Sequence, residues 1–423
     1  MEKETDRSGI FEPKLDYAPN EMFPCFADVL KIENNHQHGR HVVAKEDIDV
    51  GKTVMVDQSY FAETFNLKYR RCGIFFREVE NLKPCNKCTF TMFCPRCEGN
   101  SFHDIECDVN PTYFGCLSFA SFRMVIIRSI LLAMNAFDDI DQLIAAVEEI
   151  LSSDAVEAPE SLSDPQSKYR AFFKLQPNSK ENVDEKLPQK IYLIYRLLIG
   201  QSKVSKIFHS EASKRFLMHL FGHHVIVIKN WIRSDRYKTG RKGLFNEDIE
   251  VYYEHRISIT ASYFNHSCSP NAYITAQNGL NIAVVLRPVR KNEQLCVTYD
   301  EQILMKPKTE RQRDLQSKFK FQCKCDRCKQ PQLESSTLNS NLRIKLDPIF
   351  QSIFESRSVH DYQTFLSLKA NAFGLLKKYK KVAWSAEVYR IIYSLYTLAL
   401  METETATAGS MPFTGHIFNI TFD

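Results

Sequence analysis

Three cysteines at Cys323, Cys325 and Cys328 put three potential thiolates within six residues of chain. A C-x-C-x2-C run supplies all but one ligand of a tetrahedral zinc site, so a fourth donor has to be carried to it from elsewhere. This limits the fold severely, because the backbone between the cluster and its distant donor must close a loop around the metal. Cys268, in Asn265-His266-Ser267-Cys268, is the candidate donor. Two short strand-like runs, Ile282 to Leu286 and Leu295 to Tyr299, return the chain between the two points.

A second cluster stands upstream. Cys85-x2-Cys88 with His103-x3-Cys107 makes a complete Cys3His set, suited to a structural zinc that closes a small unit with little core of its own. Cys72, Cys94 and Cys97 add three thiols with no obvious fourth donor; weak zinc binding, a borrowed ligand, an empty site and reduced, buried cysteine are all open readings. Thirteen cysteines grouped at metal-ligand spacings, in a chain that starts MEKETDRSG with no apolar signal region, lead us to expect a reducing compartment.

At 423 residues, with 44% apolar and 25% charged side chains, two or three packed globular units are expected. A net charge of +4 is too mild to argue for nucleic acid, and no helix with clustered Arg and Lys follows the metal-ligand candidates. Met124 to Ala136, the most apolar helical run, contains Arg128 and is too short to span a membrane.

From Ala27 onward the runs VVA and TVMV flank Asp49 and Gly51 and predict a strand hairpin. Apolar spacing predicts two helices between Cys116 and Leu151, then a solvated loop over Ser152 to Gln166, a helical IYLIYRLLI and a helix from Glu211 to Ile232. His219, His223 and His224 in that last helix lack an acidic or cysteine partner at useful spacing, which favours packing over metal binding. Ser234 to Gly243 is turn-rich, and IEVYYE and RISIT read as strand pieces. After a Pro/Ser/Asn linker from Pro331 to Asn341, helical periodicity returns in Leu346 to Ile353, Tyr362 to Tyr379 and Trp384 to Met401. The fold class expected is α+β.

The motif NHSCSPN, then EQLCVTYD at the place of an ELxxxYD pattern, then FQCKCDRC as F-x-C-x-C-x2-C, closely resembles the catalytic core and post-SET cysteine cluster of SET-domain lysine methyltransferases. With the upstream Cys/His cluster, the chain resembles the SET-and-MYND family, its insect-type divergent members most of all, over roughly Ile32 to Lys329. The resemblance implies a SET fold of small sheets with a knot-like crossing. It divides the chain into a lead-in (1–26), the first part of the SET domain (27–68), a MYND-type zinc finger (69–110), a helical insert (111–233), the catalytic core (234–305), a post-SET zinc cluster (306–330) and a tetratricopeptide-like helical tail (331–423).

The same resemblance implies site residues. Tyr299 is the catalytic tyrosine that steers the lysine amine and also touches the cofactor, S-adenosylmethionine. His38, Gly39 and Arg40 form the cofactor turn, with His41 in the slot of a second glycine. Asn230, Asn265 and His266 are further cofactor contacts, as is Asn178 at the end of FFKLQPN, where a plain helix end is the competing reading. Phe321 stacks on the adenine, and Phe319 walls the lysine channel. Cys268, Cys323, Cys325 and Cys328 hold one zinc, whose four thiolates leave two net negative charges for Lys320, Lys324, Arg327 and Lys329 to offset. Cys85, Cys88, His103 and Cys107 hold a second, and Cys72, Cys94 and Cys97 are the remains of a third, with Phe75 where the family has cysteine.

The function implied is methyl transfer to a lysine of a histone or non-histone protein, with a catalytically weak scaffold or transcriptional corepressor as the alternative. Expected partners are protein substrates and MYND-binding proteins, with no membrane and no direct nucleic acid. A monomer in the cytoplasm and nucleus is expected.

Overall fold

A computed structural model describes residues 13–65, 72, 81–89, 91–95, 97–98, 103–104, 106–107, 109, 120–153, 161–175, 187–231, 233–239, 250–277, 280–300, 303–304, 306–329 and 362–378. They fall into two compact units, one taking the chain up to Gln58 and again from Thr260, the other taking Ser59–Ile259. In chain order the strands are β1 (Leu30–Asn35), β2 (Gly39–Ala44), β3 (Thr53–Gln58), β4 (Phe61–Phe65), β5 (Lys83–Pro84), β6 (Met92–Phe93), β7 (Arg233–Thr239), β8 (Glu250–Ile257), β9 (Asn265–His266), β10 (Ala272–Gln277), β11 (Leu280–Val285) and β12 (Cys296–Val297). The helices are α1 (Ala120–Ala136), α2 (Ile140–Ser152), α3 (Pro165–Phe173), α4 (Leu187–Ile199), α5 (Ser202–Ile207), α6 (Glu211–Trp231), α7 (Lys308–Phe319), α8 (Asp326–Lys329) and α9 (Tyr362–Lys378).

In the first unit, β1 and β2 form an antiparallel hairpin whose turn is built by Asn35. Its Oδ1 accepts the backbone N–H groups of Gln37 at 3.0 Å and His38 at 2.8 Å, and Gly39 completes the reversal at φ +60°. β3 instead joins β11 and β10 in a separate antiparallel sheet. The hairpin expected around Asp49 and Gly51 therefore lies one strand earlier. LKIENN and its Asn turn give β2 a nearer partner, and the Gly51 turn hands the chain from one sheet to the other. Isolated bridges, Val43 with Gln294 and Ile48 with Val289, tie the hairpin region to the segment after β11.

Helix α9 belongs to the same unit and accounts for the expected Tyr362 to Tyr379 helix. Ala372 and Leu376, one turn apart, are buried, Phe373 lies against Gly51, and Lys377 pairs with Asp49. The other two tail helices expected from periodicity lie outside the described residues.

In the second unit β8 is flanked by β4 and β7, all antiparallel. Strand β7 corrects the turn-rich reading of Ser234 to Gly243: Arg233–Thr239 runs in continuous register against β8, from Arg233 opposite Arg256 to Thr239 opposite Glu250. Cross-strand pairing outweighs the weak strand preference of RSDRYKT. Helices α2 and α3 start on Asp139 and Asp164, whose carboxylates accept the N–H groups of Gln142 and Ser167, and Pro165 opens α3.

His224 of α6 is fully buried between Ser129 of α1, 2.9 Å from Nδ1, and Tyr169 of α3, 3.1 Å from Nε2. Ser129 spends its own proton on the Ile126 carbonyl at 2.6 Å, so it accepts from Nδ1–H, and Tyr169 donates to Nε2. His223 donates to the Phe173 carbonyl at 2.8 Å and stacks on that ring at 3.8 Å. Among the described residues neither histidine joins a metal-ligating group, and no helix is long and apolar enough to cross a membrane.

Two outcomes follow from this packing. Burial holds His224 well below the usual imidazole value of 6.5, so on acidification the unfolded chain takes up the proton first. The stability this neutral ring supports is complete above about pH 6.5 and is lost as pH falls below it. Thermal melts at pH 7 and pH 5 should show a smaller acid-induced drop for His224→Gln than for wild type; equal drops would contradict the assignment. At Gly51, φ is +84° and an added Cβ would stand 3.2 Å from Phe373 Cγ. Gly51→Ala should cost about 1–2 kcal/mol, read as a lower melting midpoint.

Candidate active site and cysteine centres

Residues 265–271 cross residues 294–299. β9 and β12 pair in parallel, Asn265 opposite Cys296 and His266 opposite Val297. The Ser267 N–H donates to the Val297 carbonyl at 2.8 Å and the Asn271 N–H to the Cys296 carbonyl at 3.2 Å. So short a parallel ladder is weak alone, and the Asn271 side chain extends it. Its Oδ1 accepts the Cys296 N–H at 2.7 Å, and its Nδ2 donates to the Gln294 carbonyl at 2.9 Å. The sequence reading passed over Asn271, although it ends the NHSCSPN motif.

His266 links this crossing to two of the predicted site elements. Its Nδ1 accepts the backbone N–H of Tyr299 at 3.1 Å, and its Nε2 lies 3.4 Å from Cys268 Sγ. Shielding by the packed surroundings pushes the imidazole down to about 4, so the ring is neutral at pH 7 with its proton on Nε2, aimed at sulfur. Around it stand half-buried aromatics: Tyr299 lies 5.4 Å from the His266 ring, 5.4 Å from Phe319 and 6.1 Å from Phe321. Phe319 ends α7, and Lys320 at φ +61° reverses the chain, so Phe319 and Phe321 both reach Tyr299. Lys318 of α7 pairs with Asp300 beside that tyrosine.

The cofactor turn reaches the same region. Asn265 Nδ2 donates to the His38 carbonyl at 2.8 Å, fastening the β1–β2 turn to β9. Arg40 lies over the Tyr263 ring at 5.5 Å. His41 packs back against the turn, its Nε2 3.5 Å from Asn35 Nδ2. Its ring is buried, with Nδ1 2.8 Å from the Gly39 carbonyl and the His38 ring 5.4 Å away. Asn178 lies outside the described residues, as does the side chain of Asn230.

The structure brings Cys268 together with Cys323, Cys325 and Cys328, their sulfurs all within 4.8 Å of one another and Cys268 3.7 Å from Cys328. Zinc at about 2.3 Å from four sulfurs sets them roughly 3.8 Å apart, so this donor set fits the ion. Mutual hydrogen bonding with Cys323, Cys325 and Cys328 drives the Cys268 thiol far up, the mark of four sulfurs too close to ionise together without a cation. Gln312 of α7 grips the cluster backbone, donating to the Cys323 carbonyl at 2.7 Å and accepting its N–H at 2.9 Å.

Counter-charge comes from a different place than expected. Lys320, Lys324 and Lys329 are exposed, whereas Arg311 is fully buried with a guanidinium nitrogen 3.7 Å from Cys328 Sγ. Arg327 is buried too, but donates to the Cys268 and Leu304 carbonyls at 3.0 and 2.8 Å. Arg311 precedes Leu315 and Phe319 at four-residue spacing, a stripe that could have marked it as inward-facing.

In the second unit Cys85, Cys88, His103 and Cys107 also converge, with Cys85 and Cys107 sulfurs 3.6 Å apart and His103 Nε2 3.2 Å from Cys88. The other ring nitrogen of His103 faces Glu106 at 3.4 Å, and Glu106 accepts two hydrogen bonds from Arg128 of α1, at 2.6 and 2.9 Å. Burial would raise the Glu106 carboxyl, but the Arg128 guanidinium and His103 hold it well below the usual carboxylate range. This carboxylate–histidine pair is the usual support behind a metal-ligating imidazole, and the sequence reading missed it. Cys72, Cys94 and Cys97 form a third set with three donors.

A family model for the SET domain matches residues 39–300, more than half of the chain. The chain belongs to the SET-domain family. The match begins with β2 at Gly39, takes in the Asn271 crossing, and ends before Cys323. A SET and MYND domain-containing protein of Dictyostelium discoideum is 24% identical over 347 residues, 73% of this chain and 83% of that relative. A Saccharomyces cerevisiae protein described as a potential protein lysine methyltransferase is 29% identical over 170 residues, 39% of this SET-domain chain and 42% of the relative. A SET domain and MYND-type zinc finger protein of Schizosaccharomyces pombe is 39% identical over 64 residues, 15% of this chain and 13% of its own. A solved SET domain, that of LSMT bound to lysine and AdoHcy, overlaps 64% of this chain and 49% of that one at 10% identity, with a TM-score of 0.28, too slight a likeness to carry the fold.

If Glu106 orients His103 for a metal, Glu106→Gln should lower zinc affinity about 10-fold or more in chelator competition, with Cys268 and its partners unaffected. An unchanged competition curve would refute the role.

Proposed function

We propose that the chain is a protein-lysine N-methyltransferase that uses S-adenosylmethionine. The observation that carries this reading is the aromatic enclosure of Tyr299, Phe319 and Phe321 beside His266, mounted on the SET-domain crossing. The yeast relative described as a potential protein lysine methyltransferase supports it. The substrate class is a lysine side chain of a histone or another protein.

The bound cofactor supplies an electrophilic methyl group on a sulfonium. The chain's own residues do the rest. The Gly39 turn, held by Asn265 through the His38 carbonyl, has no atom within 4 Å of where a Cβ would stand, so bare backbone faces open space there. Phe321 offers a face to the adenine, and His266 contacts the cofactor through its backbone, since both ring nitrogens are engaged. Phe319 and Tyr299 wall the lysine channel. Their apolar surface disfavours the ammonium form of the incoming lysine, and the Tyr299 hydroxyl aligns the neutral amine for in-line displacement. Cys268, Cys323, Cys325 and Cys328 would hold a zinc that would fix the end of α7, and with it Phe319 and Phe321. Cys85, Cys88, His103 and Cys107 would hold a second, closing a MYND-type finger suited to docking partner proteins.

One observation favours the scaffold alternative: His41 occupies the slot of the second glycine in the turn. Calorimetric titration with S-adenosylmethionine separates the two, since an inactive scaffold shows no binding and no turnover on a protein mixture. Tyr299→Phe should leave cofactor affinity within a few-fold and lower turnover about 100-fold, in the range for a misaligned nucleophile. Cys325→Ser should lose one zinc and weaken the cofactor together; full affinity in a zinc-depleted variant would break the link between cluster and site.

A further inference from the structure

The two aromatic walls of the lysine channel have chain neighbours that are joined to each other. Phe319 and Tyr299 stand 5.4 Å apart. Lys318, one residue before Phe319 at the end of α7, pairs with Asp300, one residue after Tyr299. Thr298 places Asp300 for this: its hydroxyl donates to the Asp300 carbonyl at 2.8 Å and accepts the Asp300 N–H at 3.3 Å.

Lys318 has a nearer candidate on its own helix. Asp314 lies four residues earlier, the spacing at which an acid and a lysine meet on one helix face. Lys306 holds that carboxylate at 2.7 Å, and Arg313 adds a longer contact at 3.8 Å. With Asp314 engaged, Lys318 reaches across to the segment that carries Tyr299. Deeper in the same helix Leu315 is buried and Gln312 grips the Cys323 backbone, so α7 is held at its middle by the cysteine centre and at its end by Asp300.

Resting on the reading that the chain methylates lysine, we propose that the Lys318–Asp300 pair is a clamp that fixes the spacing of Phe319 and Tyr299, and through it the number of methyl groups a target lysine accepts. Both are positioning residues, acting through the two walls. Each transfer forms an N–C bond on the neutral amine, breaks the S–C bond of the cofactor, and leaves S-adenosylhomocysteine and one proton. A second transfer to the same nitrogen needs room between the walls for the methyl already there. The closed clamp withholds that room, and the open clamp grants it. The Lys318 side chain is 50% exposed and that of Asp300 14%, so water and salt reach the pair and its hold is modest. A modest hold suffices, because the ratio of two products varies exponentially with the difference between their barriers.

The test uses the full chain with S-adenosylmethionine, and core histones and a library of lysine-containing peptides as probes. Mass spectrometry reads the ratio of di- and trimethylated to monomethylated lysine at low, matched conversion. Lys318→Met should raise that ratio about 2- to 5-fold, the range open to an exposed pair, with cofactor affinity unchanged. Asp300→Asn should give the same rise, and the double variant no more. Lys306→Met should move the ratio the same way by releasing Asp314 to compete for Lys318. Should Asp300→Asn not fold, salt takes its place: going from about 50 to about 500 mM sodium chloride should raise the wild-type ratio and leave that of Lys318→Met level. A merely structural pair would change the melting midpoint and total turnover but not the ratio. An unchanged ratio in Lys318→Met, or a salt response equal in variant and wild type, would overturn the clamp and leave the methyltransferase reading standing. No methylated lysine from the wild type would overturn that reading, and the clamp with it.

Discussion

His266 accepts the Tyr299 backbone N–H on one ring nitrogen and presents the other to Cys268. An imidazole can accept on Nδ1 only when that nitrogen is bare, so the proton must sit on Nε2, and shielding of the ring enforces the neutral form that allows it. The sulfur opposite is then an acceptor, as a metal-bound thiolate would be. One side chain thereby couples the β9–β12 crossing, the tyrosine and the cysteine centre. Disturbing any of the three strains the other two, which ties the cysteine centre to the candidate site.

Charge is handled by buried arginines and not by the lysines that crowd the sequence near Cys323. Arg311 reaches the Cys268 centre directly, while Arg128 reaches the Cys85 centre through Glu106 and His103. A planar guanidinium can satisfy several acceptors at once: Arg311 bonds the Lys306 carbonyl at 2.7 Å as well as sulfur, and Arg327 spans two carbonyls. An exposed lysine ammonium would be screened by water and contribute little. Both centres are thus braced by residues on helices that precede or follow them, α7 in one unit and α1 in the other.

Much of the candidate site was legible because its residues come in short motifs. C-x-C-x2-C points to its chemistry through metal-ligand spacing, and Cys268 followed from the one ligand that the run lacked, whereas NHSC and VTYD were readable only through their resemblance to SET-domain motifs. Asn271 was within the motif but hidden by its role, since a side chain that replaces a strand has no periodicity to betray it. Glu106 and Arg128 are 22 residues apart, and nothing in either neighbourhood points to the other. The hairpin was misplaced by one strand because alternation marks strands and not their partners. Strand β7 was missed because its propensity is poor and its pairing with β8 is what makes it extended.

The sequence alone determined the ligand chemistry, the helices with strong apolar periodicity and the SET-domain motifs, all of which depend on residues a few positions apart. Tertiary structure decided which strands pair, which nitrogen of His266 carries the proton, which cations face the sulfurs and that Tyr299 stands among Phe319, Phe321 and His266. These depend on contacts between segments tens of residues apart, whose free energies arise only once the chain has closed the loops between them.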